Sequence, residues 1–198
     1  MIALTVDNVQ IERSTGLVHH YASVDGSEVS ENSLKAGAVI DMYVDAPTRR
    51  INSECHTAGH VVDVAMARCK INFPPTKGYH FADGSYVEYR GSIQPSERGR
   101  LLEMLKVAFS LLIEEDIETK IEIMKKDLAD ETCNRLAQNF EFDGYGDNEE
   151  IRIVEVAGSS CPCGGTHTKS TGDLQERGWK ITGIKCKKGF TRIKYGWS

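Results

Sequence analysis

The feature that most limits how this chain can fold is a pair of matching spacings set about a hundred residues apart. His56 and His60 stand four apart in "RRINSECHTAGHVV", and Cys163 and His167 stand four apart in "SSCPCGGTHTKSTGDL". The first segment predicts a helix beginning at Asn52 or Ser53, both good N-cap residues, with its two imidazoles one turn apart on one face. The second follows a β-like run, "IRIVEVAG", and its glycines predict a loop. Three imidazoles and a thiolate suit a tetrahedral, borderline-soft ion such as Zn2+. Ligands this distant in sequence meet only if tertiary folding brings the helix to the loop.

The intervening residues exclude several familiar zinc chemistries. A thermolysin-type protease helix needs Glu directly after its first histidine, where this chain has Thr57. A nucleobase deaminase needs His-x-Glu and Pro-Cys-x-x-Cys, whereas Pro162-Cys163 runs on into Gly-Gly-Thr. A zinc finger places its cysteine pair first and keeps the two pairs close. Cys55, Cys69, Cys133 and Cys186 are dispersed and read as buried thiols. Cys161 reads as a neighbour of the site that can stand in for a ligand. His19 and His20 are adjacent, so on a strand they point to opposite faces and do not chelate together.

Around these motifs the pattern is that of an α+β protein. "IALTVDNVQI", "GLVHHYASV" and "AGAVIDMYV" read as three short strands of a small N-terminal β unit, barrel-like and placed at residues 1–48. Residues 49–198 form the larger domain, a mixed or antiparallel sheet with packed helices. Within it, "GYHFADGSYVEY" reads as a hairpin and "ERGRLLEMLKVAFSLLIEED" as a helix introduced by Pro95 and Ser96. "DIETKIEI" alternates like a strand with Ile117, Thr119, Ile121 and Ile123 on one face. "KKDLADETCNRLAQNF" returns to helix, and "WKITGIKCKKGFTRIKYG" closes the chain as a second hairpin.

Composition narrows the setting. The 198 residues are 40% apolar and 27% charged, ordinary for a globular protein. No apolar run approaches the roughly 20 residues that span a bilayer. The N-terminus lacks the basic and apolar segments of a secretory signal, so the expected location is the cytoplasm, away from membranes. A net charge of −5 argues against binding nucleic acid by global charge, and DNA is not an expected partner. Lys and Arg do cluster near "PTRRINSECH" and in the closing hairpin, where a local nucleic-acid contact is compatible.

"RRINSECHTAGHVV" together with "SSCPCGGTHTKSTGDL" resembles the editing domain of alanyl-tRNA synthetases and their freestanding AlaX-type relatives. That family carries a His-x-x-x-His helix beginning His-Thr-Ala and a Cys-Gly-Gly-Thr-His loop followed by Thr-Gly-Glu. "PPTKGYHFADGSYVEY" resembles the family's lysine-glycine turn, and the segment ending in "PTRRINSECHTAGH" resembles the end of the barrel module that precedes the editing domain in longer members. Three departures stand out: Asp173 replaces the usual Glu, Gly59 stands where a larger residue is common, and the Gly-rich start of the barrel module is absent. Gly165-Thr166-His167 favours the alanyl over the threonyl branch, whose loop reads Gly-Pro-His.

The resemblance implies an ATP-independent hydrolase that edits in trans, cleaving the ester of mischarged tRNA(Ala), Ser-tRNA(Ala) foremost and Gly-tRNA(Ala) as a further substrate. Alternatives are a non-catalytic zinc-stabilised tRNA-binding or synthetase-associated module, and Ser-tRNA(Thr)-type editing. His56, His60, Cys163 and His167 are the implied ligands of Zn2+, either as a closed structural site or with one position opened for catalysis. Thr57 and Thr76 are candidates to bind the serine hydroxyl, each equally readable as a capping or surface hydroxyl. Gly164, Gly165 and Thr166 would face substrate. The two glycines either offer backbone N–H groups to an oxyanion or make a tight turn with positive φ. Arg49, Arg50, Lys77, Lys185 and Lys187 are candidates to hold the acceptor-end phosphates. The oligomeric state is left open.

Overall fold

A computed structural model describes residues 3–12, 15–24, 35–135, 140–147 and 149–197. Its contacts divide the chain into two units, Met1–Tyr43 and Val44–Ser198. In the first, β1 (Leu4–Glu12) pairs antiparallel with β2 (Leu17–Val24), with a register irregularity between Val6 and Asn8. The third run predicted here, "AGAVIDMYV", forms no strand, because a β-prone segment becomes one only where it finds an edge to pair with. The turn-rich stretch "DGSEVSENS" lies outside the described residues.

The second unit is built around α1 (Ala46–Arg68). This helix starts earlier than Asn52. Asp45 caps it, accepting hydrogen bonds from Thr48 N at 3.3 Å and Thr48 Oγ1 at 2.7 Å. Pro47 fits the first turn, where no intrahelical N–H is needed. Ala58, Val61, Val62 and Ala65 of α1 are fully buried, in one core with Leu105, Phe109 and Leu112 of α2 (Pro95–Glu114). Burial of such side chains, about 1.5–3 kcal/mol for each large one, is what orients α1.

Two antiparallel sheets complete this unit. One is ordered β3 (Pro75–Tyr79), β4 (Tyr86–Arg90), β9 (Phe190–Gly196), β8 (Lys180–Lys187). Both hairpins of the sequence analysis are therefore present, and β9 joins them by pairing with β4. The β8–β9 turn uses Lys188 and Gly189 at φ 49° and 82°, the left-handed pair that matches strand twist. The other sheet is ordered β5 (Lys120–Lys125), β6 (Glu150–Val156), β7 (Ser159–Pro162).

β5 begins three residues later than the alternation suggests, and its Ile121 and Ile123 face outward on an edge strand. The buried side chain is Met124, opposite Ile151, in a second small core with Ala129 and Cys133 of α3 (Lys126–Asn134). The predicted helix ran on to Phe140; residues 136–139 lie outside the described set. The stretch expected to be all loop starts as strand: Cys161 and Pro162 belong to β7, where proline is tolerated at a sheet edge. Among the described residues no helix is long and apolar enough to cross a membrane.

Candidate metal centre and its cavity

The fold brings the two spaced pairs together. One nitrogen or sulfur from each of His56, His60, Cys163 and His167 lies within 4.8 Å of the others. Cys163 Sγ is 3.5 Å from His56 Nε2 and 3.4 Å from His167 Nε2, and the Nε2 atoms of His56 and His60 are 3.3 Å apart. An ion bound at about 2.0–2.1 Å to nitrogen and 2.3 Å to sulfur in a tetrahedron needs donor separations of about 3.3–3.6 Å. The donor set and its spacing therefore fit such an ion.

The outward-facing atoms of the ligands are also held. His167 Nδ1 is 3.2 Å from Thr57 Oγ1, which also accepts from Thr168 N at 3.0 Å. His60 Nδ1 is 3.5 Å from Cys161 Sγ. Such contacts select the tautomer and ring orientation of a ligating histidine. Arg152 donates to the Cys163 carbonyl, and Cys163 N donates back to Arg152 O at 3.1 Å. Burial lowers the pKa of all three ligand histidines below the usual 6.5, His167 to about 3, with neighbouring imidazoles and Arg152 adding to the effect on His167. Their neutral form, the one that binds metal, is the stable one. Burial pushes the Cys163 thiol up, opposed by a backbone hydrogen bond from Gly165 and by Arg152.

The glycines of the loop differ from each other. A Cβ on Gly165 would lie 2.2 Å from a ring atom of His56, so this position is bare because the imidazole occupies the space. Gly164 has open space around it and neither glycine has a positive φ. Thr166 accepts a hydrogen bond from Ser53 at 2.9 Å, which ties loop to helix. Asp173 accepts from Lys169 N at 2.9 Å and so fastens the loop after His167. Thr171 anchors the same loop by donating to Leu112 O at 2.6 Å.

Beside the cluster lies a cavity of about 240 Å³ bordered by His60, Asp63, Thr76, Lys77, His80 and Cys161. Of the two threonine candidates, Thr76 borders this cavity while donating at 3.2 Å to Glu88 O. Thr57 is fully buried, and its hydroxyl serves His167 and the loop. Arg49, Lys185 and Lys187 are exposed. Arg50 instead pairs with Glu54 at 3.0 Å and with Glu176.

His80 is a residue that spacing does not reveal. Its ring centre is 4.9 Å from that of His56, and its Nδ1 is 2.6 Å from Tyr195 Oη. A Cβ on Gly59 would lie 2.3 Å from the His80 ring, and one on Gly78 would lie 2.1 Å from it. Gly59 thus makes room for an imidazole. The signal was a glycine within each of "HTAGH" and "KGYH", which only the fold makes into neighbours.

An α+β chain whose helix and Gly-rich loop converge on three histidines and a cysteine has a fold consistent with the synthetase editing-domain type. Residues 151–194 match the family model described as the Threonyl and Alanyl tRNA synthetase second additional domain. The chain is 29% identical over 187 residues to the alanyl-tRNA editing protein AlaX-M of Methanosarcina barkeri, an alignment covering 93% of this chain and 72% of that protein. AlaX-M of Methanosarcina acetivorans is 28% identical over 179 residues, covering 89% and 69%. The alanine–tRNA ligase of Desulfosudis oleivorans is 29% identical over 177 residues, but only 18% of that ligase is covered. Over most of its length the chain is thus similar to proteins named as alanyl-tRNA editing proteins of the AlaX type.

Proposed function

We propose that this protein hydrolyses mischarged tRNA(Ala), with Ser-tRNA(Ala) the principal substrate and Gly-tRNA(Ala) a further one. The observation that carries the reading is the cavity beside the His3Cys cluster, bordered by a hydroxyl at Thr76 and an ammonium at Lys77. Water adds to the ester carbonyl, releasing the amino acid and the free hydroxyl of the terminal ribose, with no need for ATP. The reading is supported by relatives named as alanyl-tRNA editing proteins.

Selection follows from unequal hydrogen bonding. A pocket built for alanine cannot strongly reject serine, which only adds a hydroxyl. In a second site that offers serine a partner, alanine leaves that partner unpaired and is spared. Thr76 is the residue we assign to this task. Lys77 holds the terminal phosphate, and exposed Arg49, Lys185 and Lys187 hold phosphates further along the acceptor end. Gly164, the unobstructed glycine, can present its backbone to the developing oxyanion.

His56, His60, Cys163 and His167 would hold Zn2+, which supplies a fixed positive centre that rigidifies the wall of the cavity. Residues 1–48 would be a partial β-barrel-like module and 49–198 the hydrolase domain, acting in the cytoplasm. Purified protein incubated with Ser-, Gly- and Ala-tRNA(Ala) tests the proposal. Release of serine with alanine retained is expected; tRNA binding without release of any amino acid would refute it.

A further inference from the structure

We propose that Asp63 receives the α-ammonium group of the aminoacyl ester, an assignment that rests on the deacylase reading above. Every aminoacyl ester carries this cation one carbon away from the carbonyl that is attacked. A site that acts on such esters gains both orientation and affinity by pairing it.

Asp63 is the one carboxylate among the described residues bordering the cavity beside the cluster. On α1 it follows His60 by three residues and His56 by seven, so all three side chains share one face. Its carboxylate is therefore on the ligand-bearing face of the helix, one turn along from His60. Tyr89 Oη donates to Asp63 Oδ1 at 2.6 Å, which fixes the carboxylate plane. Among the described residues Tyr89 is its sole hydrogen-bond donor, and no Lys or Arg forms an ion pair with it. Lys77 borders the same cavity but forms no ion pair with Asp63, so this half-buried acid is left to pair with a cation brought by the ligand. Burial also raises its pKa from 3.8 to about 7, a cost that a bound ammonium would relieve.

The test uses the full chain, metal-loaded, with two substrates: Ser-tRNA(Ala), and the same ester after its α-amine is replaced by hydroxyl. Wild type is expected to favour the amine-bearing ester. Asp63→Asn should raise KM for that ester roughly tenfold to a hundredfold while leaving the hydroxy ester unchanged. Unchanged hydrolysis of the hydroxy ester also shows that the variant is folded. Tyr89→Phe, which frees the carboxylate to rotate, should raise the same KM by a smaller factor. Equal losses on both esters in Asp63→Asn, or a wild type indifferent to the amine, would overturn the assignment and leave the deacylase reading intact. A wild type inert toward both esters would remove the deacylase reading and this assignment with it.

Discussion

Helix α1 carries two acidic residues with opposite fates. Glu54 is 1% exposed and surrounded by donors: Arg177 Nε at 2.6 Å, Trp179 Nε1 at 2.9 Å and Arg50 Nε at 3.0 Å. Burial alone would raise its pKa, but these partners outweigh it and hold the carboxyl below the usual 4.5. Asp63, nine residues on, has one neutral donor and its pKa rises to about 7. One acid is spent on joining the helix to the segment at residues 177–179, and the other is kept for a ligand. A carboxylate's task is set less by its burial than by whether the fold itself supplies the counter-charge.

The largest expected effect separates the two acids by stability. Glu54→Gln leaves Arg177 facing a neutral amide and should destabilise the protein by about 3 kcal/mol, read by denaturant unfolding. A change under about 0.5 kcal/mol would show that Glu54 is an ordinary surface acid. Gly165→Ala pushes a methyl into the His56 ring and should cost about 2 kcal/mol, whereas Gly164→Ala should cost almost nothing. Equal effects in that pair would contradict the geometry of the loop.

Next come the partners that hold ligand histidines. Thr57→Val or Cys161→Ala should weaken zinc binding about 10- to 100-fold in a chelator competition, without changing its stoichiometry. His56→Ala, by contrast, should lower the stoichiometry itself.

The smallest effect concerns pH and runs in opposite directions for the two acids. Glu54 binds its proton less tightly in the folded than in the unfolded chain. Its stabilisation is complete above about pH 4.5 and disappears on further acidification. Asp63 binds its proton more tightly when folded, so it favours the folded state at low pH and that advantage fades between about pH 4 and 7. In metal-free protein, Asp63→Asn should therefore gain stability over wild type at pH 8, with the gain shrinking toward pH 4. A constant difference across this range would show that Asp63 does not titrate as described.

Much of the site was legible because spacing on a helix is geometry. His56 and His60 one turn apart announce a common face, and a Cys-x-x-x-His loop supplies the complement. The α+β class and both hairpins were equally visible in alternation and turn residues. The helix start was less so: Asp45 and Pro47 carried the signal, yet Asn52 and Ser53 are good caps by composition and compete with it. Ser53 instead reaches Thr166 across the fold. His80, Tyr195 and Glu54 were hidden for a different reason. Their meaning depends on strand order and on residues more than a hundred positions away, and no local pattern encodes such contacts. Ile121 and Ile123 show the converse, a regular alternation that marks a strand but not the face it buries.

The pairing of β9 with β4 also has a consequence for synthesis on the ribosome. β4 emerges early, yet its neighbour in the sheet is translated about a hundred residues later. Until then the β3–β4 hairpin presents an open edge to the cell, and His80 lacks the Tyr195 hydroxyl that steadies it. Pairing across so long a stretch closes slowly. A chain interrupted before β9 would thus have helix α1 and the residues that line the cavity in hand, but His80 without the partner that fixes it.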